Sequence, residues 1–108
     1  MNRQTPISTH GNSLANTADT HVYVIRDPAE RAFKIGESAQ GVRVGDGASI
    51  RAEQQVRDLI REHGPGFTSE IRRTFSGKAL ARTYETNFIE RFRRMFGDDQ
   101  LPGNLTNR

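Results

Sequence analysis

Glu85 is the residue of this sequence that packing explains least. It sits in the segment 78–96, where Ala81, Tyr84, Phe88, Phe92, Met95 and Phe96 recur at helical spacing with Ile89 at the edge. At 100° per residue, with Phe88 at zero, Ala81 lies at about 20°, Phe92 at about 40°, Met95 at about −20° and Phe96 at about 80°. Glu85 falls at about 60°, inside that stripe, whereas Glu90 falls at about 200°, outside it. A carboxylate facing a core is costly unless it is paired or bound to metal. Two readings follow. Glu85 is a structural ion pair with a core-edge arginine, or it floors a cleft that holds a divalent cation. An oxygen ligand of this kind suits Mg²⁺ with most of its coordination from water and phosphate.

A second group of chemistry-bearing residues lies in "HVYVIRDPAERAFKIGES", from His21 to Ser38. Val22–Ile25 and Phe33–Ile35 are β-rich pieces flanking an Asp27-Pro28 turn signal. Tyr23, Lys34 and Gly36 are what an ordinary hairpin does not need. Other candidates are weaker. His10, His21 and His63 have no metal-ligand spacing. His63, on a helical stripe beside a helix end, reads as a packing or capping residue, and His10 as solvated. His21, near the start of the first strand, could line the same end of the sheet as Tyr23. The glycines at 41, 45 and 47 lack the Gly/Lys/Ser pattern of a phosphate cradle and read as a loop.

The elements that must position these residues are legible from pattern. Thr20–Arg26 alternates good strand formers, with both faces apolar, so it is expected to be a central strand. Ala32–Gly36 returns antiparallel after a short turn. Ser49 caps a helix that runs to about His63 and stops before Gly64-Pro65-Gly66. Its inner stripe is Ala52, Val56, Leu59, Ile60 and His63. Phe67–Phe75 is a third strand, and Lys78–Phe96 is the longest helix, ended by Gly97. The expected fold is α+β: a small, three-stranded, mainly antiparallel sheet with two main helices, in the order ββαβα. Residues 1–19, rich in Thr, Ser, Asn and Gly, read as a flexible lead-in to one domain over 20–108.

Composition narrows the function. The chain has 108 residues, 33% hydrophobic, which suits one core. It has no cysteine, which excludes disulfides and thiolate zinc sites. No apolar run approaches the roughly 20 residues that span a membrane, so a soluble chain is expected, and a monomer is expected with it. The net charge is +3 and the pI about 9.9. Between Ile71 and Phe96, seven basic residues face two acidic ones, and arginine is heavily favoured over lysine. The planar guanidinium suits bidentate phosphate contacts, so nucleic acid is the expected partner.

The hairpin, the helix after it and Glu85 together resemble the GIY-YIG nuclease superfamily. His21-Val22-Tyr23-Val24-Ile25 is similar to that family's G-I-Y-x-I strand, with His in place of Gly. Phe33-Lys34-Ile35-Gly36 is similar to its Y-K-I-G form, with Phe in place of Tyr. The family places an arginine on the first helix, a glutamate on a later helix and often an asparagine beyond it. Arg51, Glu85 and Asn104 stand in that order. The resemblance implies metal-assisted phosphodiester hydrolysis. Tyr23 would help activate the attacking group, Arg51 would stabilise charge on the phosphate, Glu85 would hold the metal, and Lys34 would add a second positive charge. Arg43 has the more usual distance from Gly36, Arg51 the better context in the first turn of a helix, and Arg57 lies on the outer face. Arg43, Arg57, Arg82 and Asn104 are expected substrate-binding positions.

The polar "THGNS" lead-in, the compact basic domain and the ending "LPGN…NR" resemble C-terminal toxin domains of contact-dependent inhibition and Rhs-type polymorphic toxins. That resemblance implies secretion within a larger effector and delivery to the cytoplasm of a target bacterium. It also implies cleavage of tRNA or DNA there, and a cognate immunity protein. Two other readings stay open. One is a metal-independent RNase of barnase or colicin type, using His21 or His10 with Lys34 and arginines, or a compact PD-(D/E)XK nuclease. The other is a basic nucleic-acid-binding module without catalysis.

Overall fold

The computed structural model describes residues 19–104, so the lead-in over 1–18, His10 within it and the end of the tail lie outside the described residues. The order is β1 (Thr20–Arg26), β2 (Ala32–Ser38), α1 (Ile50–His63), β3 (Thr68–Phe75), α2 (Lys78–Phe96) and a 3-10 turn at Pro102–Asn104. The three strands form one antiparallel sheet in the order β2-β1-β3. This is the expected small α+β fold. β1 and α2 have the expected bounds. β2 runs two residues further than the alternation suggested, and β3 starts one residue later. Among the described residues, no helix is long and apolar enough to cross a membrane.

β1 is central because both its faces are apolar. Val22 and Val24 face α2, in a cluster with Ile35, Ala81 and Leu101. Tyr23 and Ile25 face α1, in a cluster with Ala52, Val56 and Phe67. Each helix covers one face, as the alternation of side chains along a strand requires. α1 begins where Ser49 caps it, its Oγ accepting from the Ala52 N–H at 3.1 Å. That Oγ also shares a 2.7 Å hydrogen bond with His21 Nε2, which ties the start of α1 to the start of β1.

The helical stripes need correction at their ends. Ile60, at 37% exposure, and His63 lie outside the core, although His63 keeps a tilted ring contact with Phe67. Met95 and Phe96 are 65% and 58% exposed. The angles are not at fault, since Met95 is near the centre of its stripe. A 19-residue helix spans about 28 Å, against about 23 Å for a seven-residue strand. α2 is therefore longer than the central strand it covers, and its last apolar turn is exposed.

One irregularity shapes the site. In the β1–β2 ladder Ile25 pairs with Lys34 and Arg26 with Ala32, so Phe33 is the extra residue of a β-bulge. The bulge turns the Phe33 ring to the α1 face, edge-on to Phe67 with centroids 5.5 Å apart.

Candidate active site

A cleft of about 360 Å³ opens along β2, on the side away from β1. Its walls come from five places in the chain: Tyr23 on β1, Lys34 to Glu37 on β2, Arg51 and Gln55 on α1, Arg82, Glu85, Thr86 and Ile89 on α2, and Asn104 in the 3-10 turn. Tyr23, Lys34, Arg51 and Glu85 are thus brought together. Tyr23 packs on the α1 face and Glu85 comes from the helix on the opposite face. They share a cleft because it wraps around the edge of the sheet.

Gly36 makes that possible. It is the register partner of Tyr23. A Cβ on Gly36 would fall 2.5 Å from both Cζ and Oη of Tyr23. Glycine lets the phenol cross over β2 and reach the cleft. There the Tyr23 hydroxyl donates to Gln55 Oε1 at 2.7 Å. Tyr23 is 2% exposed, and burial pushes its pKa up to about 12. Arg51 pulls the pKa down, Glu85 pushes it up, the Gln55 hydrogen bond lowers it and Glu37 raises it. Tyr23 is therefore a neutral phenol at ordinary pH.

Arg51 is exposed, one helical turn before Gln55, and makes no ion pair with the described residues. Its guanidinium lines the cleft. Arg43 and Arg57 do not line the cleft. Arg43 pairs with Asp46 at 2.5 Å and approaches Glu53 at 4.0 Å, and Arg57 is exposed on α1. The three arginines open from sequence are thus distinguished by position alone.

Glu85 is 16% exposed at its side chain, with Arg82 Nε 3.9 Å from its Oε1. Arg82 also bonds to Glu37 Oε2, and Lys78 Nζ lies 4.0 Å from that same oxygen. Glu37 is a cleft residue that sequence reasoning missed. It stands one position after Gly36, but its partners are some forty residues away. Gln55 was also missed, although its spacing of four from Arg51 was a usable signal. Asn104 lines the cleft with its amide already engaged: Oδ1 accepts from the Ile35 N–H at 2.8 Å and Nδ2 donates to the Ile35 carbonyl at 2.9 Å. It thereby mimics a neighbouring strand along the outer edge of β2. His21 does not line the cleft, and burial lowers its pKa.

The oxygen donors can be tested against a cation. Among the described residues, no group of three or more His, Cys, Asp or Glu gathers into a metal-binding cluster. Glu37 is nine-tenths buried; Arg82 and Lys78 both meet its Oε2, and its Oε1 is buried with no hydrogen-bond partner among the described residues. Glu85 also lines the cleft, with Arg82 beside it, and is the carboxylate there that could hold a cation. A hard cation that keeps most of its water and takes one protein carboxylate fits this set. No protein-family model, curated protein or solved structure matches the chain.

Proposed function

We propose that this chain is a divalent-cation-dependent nuclease of GIY-YIG type, hydrolysing phosphodiester bonds in RNA, with tRNA favoured, or in DNA. The observation that carries this reading is the meeting of Tyr23, Lys34, Arg51 and Glu85 in one cleft. Four elements would have to supply those four side chains to one place, and they do.

Each residue has a role that its surroundings support. Lys34 and Arg51 would bind and orient the phosphate, and Arg51 would offset charge that develops on its oxygens. Glu85 would hold the cation, which would neutralise phosphate charge and make a bound water more acidic. Tyr23 would act as a neutral phenol that hydrogen-bonds the attacking water. Its high pKa disfavours a standing phenolate. Gln55 would fix the phenol's direction. Arg82 would bind substrate next to Glu85, held in place by Glu37.

The basic chain and its toxin-like ends support a role as an effector delivered into a target bacterium, with an immunity protein that covers this cleft. The test is incubation of the purified chain with tRNA and with duplex DNA, with Mg²⁺ and with excess chelator. Cleavage should need the cation and should be lost in Glu85→Gln and Arg51→Ala. Undiminished cleavage in chelator would exclude the Glu85 role.

The 3.9 Å approach of Arg82 to Glu85 favours a second reading, a structural ion pair in a binding module without catalysis. Under that reading, folded Glu85→Gln and Arg51→Ala proteins act on cells as the parent does.

A further inference from the structure

A second cavity, of about 370 Å³, adjoins the cleft and shares Lys34, Arg51 and Gln55 with it. Past those shared residues the walls change character. Phe33 and Leu59 are apolar, Asp58 and Glu62 are acidic, and His63 closes the far end. The Phe33 ring is fixed from two sides. Phe67 meets it edge-on, and Gly103 approaches so closely that a Cβ there would lie 2.8 Å from Cε2. The ring is only half buried, so it still presents area to the cavity.

We propose that this cavity is a nucleobase subsite, which takes the unstacked base of a nucleotide whose phosphate lies at Lys34 and Arg51. The inference rests on the nuclease reading for the phosphate and extends it to the substrate's form. The apolar wall decides the occupant. Lys34 and Arg51 hold the phosphate at the near end, and beyond them stand the Phe33 and Leu59 side chains, Asp58, which is paired with Arg61, and Glu62, which lies 3.7 Å from His63. A flat heterocycle packs against Phe33 and Leu59 and turns its edge toward Asp58 and Glu62. Carboxylates accept hydrogen bonds, so the edge must donate. Cytosine and adenine present an amino group, whereas uracil presents carbonyl oxygens on either side of a single N–H. The subsite therefore favours an amino-bearing base over uracil. It also requires a base already out of its stack, as in a single strand or a loop.

The test is NMR titration of the whole chain with 5′-CMP, 5′-AMP, 5′-UMP and inorganic phosphate. CMP and AMP should shift the resonances of Phe33, Leu59 and His63, and phosphate should shift only those around Lys34 and Arg51. CMP should bind roughly fivefold more tightly than UMP, the carboxylates being exposed to solvent. Asp58→Asn with Glu62→Gln, both exposed positions, should remove that preference and leave phosphate binding intact. Phe33→Leu should weaken CMP several-fold without changing phosphate binding. Equal binding of CMP, UMP and phosphate, or unmoved Phe33, Leu59 and His63 resonances, would overturn the proposal. If the base binds and no nucleic acid is cleaved, the nuclease reading fails alone. If RNA is cleaved and the cavity stays silent to every nucleotide, the subsite fails alone.

Discussion

Tyr23 lies across Gly36, its pairing partner in the β1–β2 ladder, so closely that a methyl group on the glycine would fall 2.5 Å from the phenol's Cζ and Oη. Gly36→Ala must therefore push the phenol out of the cleft or bend β2. A loss of about 1–3 kcal/mol in stability is expected, within the range of overpacked cores. Cleavage should fall with it. In a Tyr23→Ala background the same change should cost much less. Denaturant melts of the two single variants and the double variant check this non-additivity.

Alkaline stability should report the burial of Tyr23. Its folded pKa is raised to about 12 from 10.0. Stability is fully present below pH 10, where the phenol is neutral in both states. As pH rises from about 10 to about 12, the unfolded chain ionises first and stability is lost, by about 2–3 kcal/mol in all. Tyr23→Phe should flatten that slope in melts across this range.

His21 sets the opposite slope in acid. Burial lowers its folded pKa below 6.5, so the unfolded chain takes the proton more readily. Its contribution is present above pH 6.5 and is lost as pH falls through the folded value. Ser49→Ala should remove the α1 cap and the His21 hydrogen bond together, at about 1 kcal/mol for the cap. Thermal melts between pH 7 and 5 measure both effects.

Asn104→Ala separates scaffold from substrate binding. Both ends of its amide bond to Ile35, so the variant should lose about 1–3 kcal/mol of stability. Its KM for RNA should stay near the parent's in protein that remains folded at low temperature. A large rise in KM with unchanged melting would show that the amide serves the substrate instead.

Much of this architecture was legible because it is local. The alternation around Tyr23 gave β1, and the spacing from Ala81 to Phe92 gave the inner face of α2. Glu85 was legible as an anomaly in that spacing, and it does reach a cleft. Periodicity, however, gives an angle and not a length of contact. Met95 and His63 have inward angles and are exposed all the same. The partners of Glu37 could not be read, because they join β2 to α2 across some forty residues. The bulge at Phe33 was invisible for a different reason. A bulge is a misalignment between two strands, and one strand's sequence cannot record it.

The turn that carries Asn104 follows every other wall of the cleft in chain order. Leu101, fully buried against Val22, Val24, Ile35 and Ala81, anchors that turn to the core. Synthesis proceeds from the other end. A growing chain can pair its three strands and dock both helices while the outer edge of β2 is still bare. The cleft is finished only when residues 101–104 have emerged, so a ribosome-bound fragment stopping at α2 would carry Tyr23, Lys34, Arg51 and Glu85 without the last wall of their cleft.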